Sequence, residues 1–439
     1  MNIISSKSIM RFCSIFLLLA CVWGPSNAQT TTGPFIFGDP LPDAPELSAR
    51  GEYKVGVRTL DFINKNQVDV LKSKDGVDPF YDRPLKVEVW YPAVLTANEK
   101  EIVMYDQVIG QFNDPKRPLI PFTFLGRASR EAMPLKTGGS FPLIIVSHGY
   151  TGSRFLLTYL TENLASKGYV VVAIDHTEST FADAAGFTST LVNRAKDDLF
   201  ILNKIAELGK PNSKSFLSGL VDAEHTALIG YSMGGYGALN AAGAGYSKTA
   251  LALFTNFSGG SKALEVLTTG HPDFIASYDQ RIKAVVAFAP WGMERGIWDD
   301  EGLQGLKVPT FFVAGSQDDI SGYEKGIKAI YVGSLNADRY LLTYQNARHN
   351  VAPNPPPPES LTPGLHFDEY YRYADPVWSE ERINNINQHF VTAFLGIHLK
   401  KKEFGSYLEL DERSDEKTWT GFKPRSSVGL ELLHAVPKK

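Results

Sequence analysis

The sequence predicts an α/β protein with a mainly parallel central sheet and helices on both of its faces. Short, continuous apolar runs rich in Val, Ile and Phe recur between residues 141 and 344, as expected for strands that are covered on both sides. Stretches with the apolar spacing of helices lie between these runs. This alternation of strand and helix is typical of a parallel sheet.

Two segments that precede this alternating region have a different pattern. In residues 53–63 and 85–92 apolar and polar side chains alternate, which indicates antiparallel strands with one solvent-exposed face. The buried strands are then predicted in PLIIVSH, GYVVVAID, TALIGYS, KAVVAFAP, PTFFVAG and RYLLTYQ. The helices are predicted in SRFLLTYLTENLASKG, NRAKDDLFILNKIAEL, the segment after Ser232, YEKGIKAIY and SEERINNINQHFVTAFLGIHL.

Two long connections interrupt the alternation. Residues 101–140 precede the first buried strand, and residues 246–278 follow the helix after Ser232. Insertions of this length in compact domains tend to be lids or binding loops. The proline tract PNPPPPES at 353–360 is expected to form a rigid surface loop. Because the buried strands are evenly spread, we interpret residues 29–439 as one elaborated domain.

The first 28 residues have the layout of a secretory signal peptide. Lys7 and Arg11 precede an apolar run that ends in SNA, which predicts cleavage after Ala28. The run is about twelve residues long, too short to span a bilayer. Within it, LLAC resembles the lipobox of bacterial lipoproteins, with Cys21 as the acylated residue. A secreted or periplasmic protein and a lipid-anchored one are both open interpretations.

Composition excludes several classes of protein. With 43% hydrophobic and 21% charged residues in a chain of 439, the protein is neither disordered nor fibrous. The 44 basic and 48 acidic residues give a net charge of -4, and no nucleic-acid partner is expected without a basic footprint. Cys13 and Cys21 both lie in the predicted signal segment. Disulfides, thiolate metal sites and a cysteine nucleophile are therefore excluded from a chain cleaved after Ala28.

The stretch LIGYSMGGYGAL places Ser232 between a buried strand and a helix of small residues. At such a turn the pattern G-x-S-x-G predicts a nucleophile elbow, whose strained backbone exposes the serine oxygen. Its neighbours two positions away must be small, as Gly230 and Gly234 are, and Gly235 and Gly237 would let the helix approach the sheet closely. A phosphate-binding turn is the alternative. That alternative predicts G-x-G-x-x-G or a lysine after the loop, and neither is present here.

A serine nucleophile needs a histidine base and a carboxylate that orients it. In this strand order the acid and then the base follow later strands. The strand PTFFVAG ends in SQDD and RYLLTYQ ends in NARHN, so Asp318 and His349 are the predicted acid and base. Asp319 is the rival acid. A structural or surface role is predicted for His148, His225, His271, His366, His389, His398 and His434.

The oxyanion of a tetrahedral intermediate needs two backbone amides. One amide belongs to the residue after the nucleophile, Met233, and the other to the loop after an early strand. The stretch VSHGYTGSR supplies that loop: Gly149 permits the turn and Tyr150 is the predicted donor. His148 would then serve the geometry of the loop.

With these residues in place, the chain resembles α/β-hydrolases of the group that joins bacterial dienelactone-hydrolase-like proteins with platelet-activating-factor acetylhydrolase. The resemblance runs through GVRTLDF, VEVWYPA, GRASREAMP, LIIVSHGYTGSR, LASKGYVVVAIDHTEST, GYSMGGYGAL, DQRIKAVVAFAPWGM and TFFVAGSQDD. It implies ester hydrolysis by Ser232, Asp318 and His349, with the amides of Tyr150 and Met233 as the oxyanion hole. GYSMGG is also similar to bacterial polyester hydrolases.

Two departures limit what this resemblance implies. Dienelactone hydrolases proper use a cysteine nucleophile, whereas this chain has Ser232, so their substrate is not implied. In the acetylhydrolases the acid follows the preceding strand, yet the matching stretch VAFAPWGM holds no carboxylate. This difference favours Asp318.

We therefore expect a secreted or periplasmic serine carboxylic-ester hydrolase that acts on a small-molecule or lipid-like ester and needs no metal or organic cofactor. Aromatic residues near the predicted site favour a short acyl or an aryl group; they are Tyr150, Tyr231, Tyr236 and Trp291. A serine peptidase on the same fold and a catalytically inactive binding module are the alternatives.

Overall fold

Strands and helices alternate along most of the chain. The computed structural model describes residues 34–136, 139–415 and 417–438. Its strands are β1 (Lys54–Val68), β2 (Phe80–Val94), β3 (Val103–Ile109), β4 (Ile120–Gly126), β5 (Ser129–Arg130), β6 (Met133–Pro134), β7 (Phe141–Ser147), β8 (Val170–Asp175), β9 (Val221–Tyr231), β10 (Ile282–Phe288), β11 (Thr310–Gly315), β12 (Arg339–Tyr344) and β13 (Leu430–Ala435). Its α-helices are α1 (Thr158–Ser166), α2 (Phe187–Gly209), α3 (Met233–Ala241), α4 (Lys248–Phe257), α5 (Pro272–Ala276), α6 (Asp300–Gln304), α7 (Lys328–Gly333), α8 (Asp368–Tyr371) and α9 (Glu380–Lys400).

The large sheet has the strand order β13-β12-β11-β10-β9-β7-β8-β2-β1-β5. The six strands from β12 to β8 are parallel to their neighbours within that set. β2 pairs antiparallel with β8 and β1, and β13 pairs antiparallel with β12. The parallel strands coincide with the predicted apolar runs, and the predicted α/β fold class is confirmed. The edge strand β13 was not predicted.

Two helix pairs cover the sheet. α2 and α3 contact each other and β9, while α9 contacts α1, β9 and β10. The side chains of a strand alternate between its two faces, so strands covered in this way are apolar throughout, as β7 and β11 are. The carboxyl ends of the parallel strands meet at one edge of the sheet, where the loops after β7, β9, β11 and β12 come together.

Both predicted insertions contain regular structure. Residues 101–140 include β3 and β4, which form a separate antiparallel pair. Tyr105 on β3 anchors this hairpin, because its hydroxyl accepts from Trp90 Nε1 at 2.8 Å and donates to Glu162 at 2.6 Å. Residues 246–278 contain α4 and α5. A third long connection, which the sequence pattern did not single out, joins β12 to α9 and contains α8.

The prediction that the proline tract is a surface loop is wrong. Asn354 within it is 4% exposed, and its Nδ2 donates to the carbonyl oxygen of Phe155 and to Thr158 Oγ1, both at 2.8 Å. Its Oδ1 accepts from the amide of Tyr159 at 3.2 Å. Prolines have no N–H group that burial would leave unpaired, and Asn354 binds the first turn of α1. The tract therefore packs inside the protein.

Residues Ile36 to Lys439 form one compact unit. The predicted signal peptide, its cleavage site at Ala28 and the acylation site at Cys21 lie outside the described residues. Within the part of the chain that the structure describes, no helix combines the length and the apolar character needed to cross a membrane.

Candidate active site

Ser232 lies in the turn between β9 and α3, with φ 53° and ψ -112°. A positive φ is strained for a residue other than glycine. A Cβ atom on Gly230 would overlap the carbonyl oxygen of Gly234, and a Cβ atom on Gly234 would overlap the carbonyl oxygen of Ser147. Only glycine fits at these two positions, because both obstacles are backbone atoms. The turn projects the serine from the carboxyl end of the sheet.

The next two glycines permit close approach to different neighbours. A Cβ on Gly235 would lie 3.0 Å from Pro290 Cβ, just beyond β10. A Cβ on Gly237 would lie 2.6 Å from Arg194 Cβ, on α2. The prediction that both glycines bring the helix close to the sheet is therefore wrong for Gly237, which allows α3 to approach another helix.

Ser232, His349 and Asp318 form a hydrogen-bonded row. His349 Nε2 lies 3.0 Å from Ser232 Oγ, and His349 Nδ1 lies 2.9 Å from Asp318 Oδ2. Each of the three residues is 7% exposed, and hydrogen bonds in such a low-dielectric setting are stronger than in water. The row can pass the serine proton to the imidazole while the carboxylate stabilises the resulting charge.

The structure distinguishes Asp318 from its rival Asp319. Asp318 Oδ1 accepts from two backbone amides of the following turn, at 2.9 and 2.8 Å. Burial opposes ionisation, but the charge and hydrogen bond of His349 and these two amides outweigh it and hold the pKa of Asp318 below its ordinary value. Asp319 instead forms a 2.6 Å ion pair with Arg348, and both side chains are well exposed.

The loop after β7 lies against the nucleophile. A Cβ on Gly149 would lie 3.4 Å from Ser232 Cβ and 3.2 Å from the ring of Tyr231. Among the described residues, the amides of Tyr150 and Met233 have no hydrogen-bond acceptor. Both amides are therefore available to a ligand oxygen bound beside Ser232.

His148 lies beneath this loop. Its Nδ1 is 2.6 Å from the carbonyl oxygen of Gly149, and its Nε2 accepts from the amide of His176 at 3.2 Å. Burial, reinforced by the nearby cation of Arg194, holds the pKa of His148 well below its ordinary value. A neutral imidazole that bonds on both sides to backbone suits the predicted role in loop geometry.

Other histidines have partners outside the triad row. His225 bonds Asp222 at 2.7 Å and His434 bonds Asp338 at 2.8 Å. His389 accepts from a backbone amide at 3.1 Å. Over the described ranges, His, Cys, Asp and Glu side chains form no group of three or more that could hold a metal ion.

An aromatic row, defined here as Tyr150, Phe187 and Trp291, connects the loop after β7 with the loop after β10. The ring centroids of Tyr150 and Phe187 are 5.3 Å apart, as are those of Phe187 and Trp291. The amide of Trp291 donates to the carbonyl oxygen of Ser232 at 3.2 Å. All three rings are half-buried. Tyr231 and Tyr236, which were also expected to line the site, are 6% and 0% exposed and belong to the core.

Comparisons with known proteins identify similar sequences over part of the chain. Residues 128–268 match the family model of PET hydrolase-like proteins. Cutinase est1 of Thermobifida alba is 24% identical over 220 residues, which are 50% of this chain and 56% of the cutinase. Platelet-activating factor acetylhydrolase of Canis lupus familiaris is 22% identical over 304 residues, which cover 66% of this chain and 64% of the relative. The chain thus spans little more than half the length of the curated relatives it matches.

A solved structure shows the same fold. Ferulic acid esterase from Streptomyces cinnamoneus superposes with a TM-score of 0.52 at 19% identity, covering 82% of this chain and 94% of that chain. The chain has the α/β-hydrolase fold. Its relatives fit the predicted resemblance to serine esterases of this fold.

The structure also contains a cluster of charged side chains that sequence reasoning missed. The buried ion cluster lies beneath the loop after β7 and consists of Arg83, His176, Arg194, Asp197 and Asp198, all nearly inaccessible to solvent. Arg83 donates two hydrogen bonds to Asp197, at 3.0 and 2.9 Å. His176 bonds Asp197 through Nδ1 at 2.9 Å. The periodicity of α2 gave no signal for this cluster, because its partners are far apart in the sequence.

Proposed function

We propose that this α/β-hydrolase cleaves carboxylic esters through an acyl-enzyme on Ser232. The main support is the row in which His349 lies 3.0 Å from Ser232 Oγ and 2.9 Å from Asp318. In the proposed reaction His349 takes the serine proton as Oγ attacks the ester carbonyl. Asp318 stabilises the imidazolium that forms and keeps its ring oriented.

The remaining steps use the same groups. The amides of Tyr150 and Met233 hold the oxyanion of the tetrahedral intermediate. His349 then protonates the departing alcohol and leaves the acyl group on Ser232. Water repeats the attack with His349 as base, and the carboxylic acid is released. The similarity to cutinases, an acetylhydrolase and a ferulic acid esterase supports an ester as the substrate.

The proposed substrates are small-molecule or lipid-like esters with a short acyl or an aryl group. The aromatic row supports this choice, because its two ends, Tyr150 and Trp291, lie on loops that contact Ser232. Its half-buried rings offer flat apolar surface to such a group. The match to platelet-activating factor acetylhydrolase supports a short acyl chain. The match to ferulic acid esterase supports an aryl acid.

We also propose that the protein is exported. The support is the N-terminal sequence, in which Lys7 and Arg11 precede an apolar run and a small-residue ending. The N-terminus of protein recovered from the periplasm or medium tests this proposal. Cleavage after Ala28 is expected, a lipidated N-terminus at Cys21 would identify a lipoprotein, and an uncut chain confined to the cytoplasm would contradict export.

A panel of p-nitrophenyl esters tests the proposed function. Turnover is expected to be fastest for short acyl chains and to fall about 10⁶-fold in Ser232→Ala, since loss of a triad nucleophile has an effect of this order. Ser277→Ala is a matched control, because among the described residues that hydroxyl bonds only the carbonyl oxygen of Phe274, at 2.7 Å, in the helix that Ser277 ends. Equal turnover in Ser232→Ala and Ser277→Ala would refute the proposal.

A further inference from the structure

Arg194 joins the buried ion cluster to the loop that carries Tyr150. From the middle of α2, it donates hydrogen bonds to the carbonyl oxygens of His148 and Gly149. We propose that Arg194 is a positioning residue that aims the Tyr150 amide at the oxyanion, and that Gly237 makes this possible by letting α2 and α3 pack closely. This inference rests on the proposed ester hydrolysis.

Arg194 donates hydrogen bonds to the loop after β7 and not to a carboxylate of the described structure. Its side chain is 1% exposed. Nη2 lies 3.1 Å from the Gly149 carbonyl oxygen and 2.5 Å from Ser179 Oγ, and Nη1 donates to the His148 carbonyl oxygen. Burial lowers the pKa of Arg194 to about 9, so the guanidinium is still charged near neutral pH.

Arg83 and Arg194 are both buried, but their guanidinium groups have different hydrogen-bond partners. Burying a guanidinium removes most of its hydration, and the loss has to be offset by hydrogen bonds or a counter-charge. Arg83 has two hydrogen bonds to the Asp197 carboxylate. Among the residues that the structure describes, no carboxylate is hydrogen-bonded to Arg194. Two of its hydrogen bonds reach successive loop carbonyls, an arrangement that fixes backbone orientation. The others go to Ser147 Oγ at 3.4 Å and Ser179 Oγ at 2.5 Å.

The direction of the Tyr150 amide follows from the Gly149 carbonyl. The two groups belong to one trans peptide unit, in which N–H and C=O point in opposite directions. The hydrogen bond from Arg194 to the Gly149 oxygen therefore turns the Tyr150 N–H away from the cluster. Gly149 itself lies against the nucleophile, since a Cβ on it would be 3.4 Å from Ser232 Cβ. His148 Nδ1 shares the Gly149 oxygen at 2.6 Å, so loss of Arg194 should loosen the loop without releasing it fully.

Gly237 sets the distance between the two helices. A Cβ on Gly237 would lie 2.6 Å from Arg194 Cβ, closer than side-chain atoms pack, so an alanine would force α2 outward. The guanidinium would move with its helix while the loop stays attached to β7. Gly237→Ala is therefore expected to weaken the same hydrogen bonds without changing the arginine.

The test uses the purified full-length chain and two aryl esters that differ only in a carbonyl oxygen or sulfur. Sulfur accepts hydrogen bonds weakly, so the preference for the oxygen ester measures the oxyanion donors. Arg194→Met is expected to lower kcat for the oxygen ester about 100-fold, the effect of one lost oxyanion donor. KM should change little, and the oxygen preference should fall. Arg194→Lys and Gly237→Ala should lower kcat for the oxygen ester about 10-fold and should also lower the oxygen preference.

Arg339→Met is the matched control. Arg339 is also buried and donates to the backbone carbonyls of Tyr331, Ala337 and Val436, at 2.6, 3.2 and 3.4 Å, but it lies at the amino end of β12. Its loss should reduce stability, as seen by thermal unfolding, and leave both kcat and the oxygen preference at wild-type values.

The outcomes separate this inference from the proposed function. A folded Arg194→Met with the wild-type oxygen preference overturns the inference, and so does a wild-type preference in both Arg194→Lys and Gly237→Ala if Arg194→Met fails to fold. An equal fall in preference in Arg339→Met would show that general loosening is the cause, which also overturns it. If wild type and Arg339→Met hydrolyse neither ester, the proposed function fails, and the inference fails with it.

Discussion

The two halves of the proposed site are built from different kinds of contact. In the triad half, Ser232, Asp318 and His349 follow strands of the sheet and bond one another directly. In the oxyanion half, we propose that the Tyr150 amide is oriented by Arg194, which bonds the Gly149 carbonyl oxygen. Arg194 belongs to the buried ion cluster, whose members lie on β2, after β8 and on α2. The sequence therefore reveals the groups proposed to react, because each follows a strand. It does not reveal the groups that orient the backbone, because these are paired with residues that are distant in the sequence.

After loss of the nucleophile itself, the largest expected loss of activity comes from changing the acid of the triad half. Asp318→Asn is expected to lower kcat about 10⁴-fold, because the amide would favour the wrong imidazole tautomer. Asp319→Asn is the matched control, since it breaks only an exposed ion pair with Arg348, and exposed pairs contribute little. Steady-state hydrolysis of a p-nitrophenyl ester measures both. Similar losses in the two variants would show that Asp318 is not the acid.

The next largest effect is expected where the two halves meet. A Cβ on Gly234 would overlap the carbonyl oxygen of Ser147, whereas one on Gly235 would lie 3.0 Å from the side chain of Pro290. Gly234→Ala should therefore lower the free energy of unfolding by about 3 kcal/mol and reduce ester turnover, and Gly235→Ala should lower the free energy of unfolding by about 1 kcal/mol or less. Urea unfolding and ester turnover test this pair. Equal stability of the two variants would contradict the elbow geometry.

A smaller effect is expected from the contact that ties the nucleophile turn to the histidine loop. Tyr231 donates to Asn350 Oδ1 at 2.9 Å, joining the residues next to Ser232 and His349. Tyr231→Phe leaves this buried oxygen without its donor and should cost about 1 kcal/mol of stability, with a few-fold lower kcat. The losses of unfolding free energy in Tyr231→Phe and Asn350→Ala should add up to more than the loss in the double variant. Full additivity would mean that the two residues are not coupled.

The smallest effect on catalysis is expected at Asp198, which should change only the pH dependence of stability. In the described structure its carboxylate oxygens have no hydrogen-bond partner, and burial, together with the charge of Asp197, raises its pKa well above the ordinary value. The folded state then binds this proton more tightly than the unfolded state. The stability that it contributes is complete below the ordinary carboxyl pKa of about 4 and is lost as pH rises.

Asp198→Asn keeps the neutral form at every pH. Its free energy of unfolding should equal that of wild type near pH 4 and should exceed it increasingly as pH rises from there to about pH 8. Asp318 should show the opposite pH dependence, because its pKa is lowered. Wild type gains stability relative to Asp318→Asn as pH rises towards the ordinary carboxyl pKa of about 4, and the gain is complete above that value. Urea unfolding at pH values on both sides of about 4 measures both effects. A constant difference between wild type and Asp198→Asn would contradict the raised pKa.

Much of the fold could be predicted because strands buried on both faces are continuous apolar runs, as β7 and β11 are. The places of Ser232, Asp318 and His349 followed from the same pattern, since each comes directly after such a strand. Their catalytic roles stay a prediction until they are tested.

What could not be predicted depends on tertiary pairing. The spacing of α2 indicates a helix but does not reveal that Arg194 faces α3 and the loop instead of water. Gly237 looked like a contact with the sheet because its partner on α2 is remote in sequence. Asn354 sits in a tract whose composition is typical of surface loops, and its burial depends on the first turn of α1. The edge strand β13 is specified by its pairing with β12.

The most direct test of the central claim is to locate the covalent adduct. Wild-type protein is incubated with a fluorophosphonate probe and digested, and the peptide that contains Leu228 to Leu239 is analysed by mass spectrometry. The proposed mechanism predicts one phosphonyl group on Ser232, slower labelling of Asp318→Asn and no labelling of Ser232→Ala. An unlabelled wild-type protein, or an adduct that persists on another residue in Ser232→Ala, would contradict it.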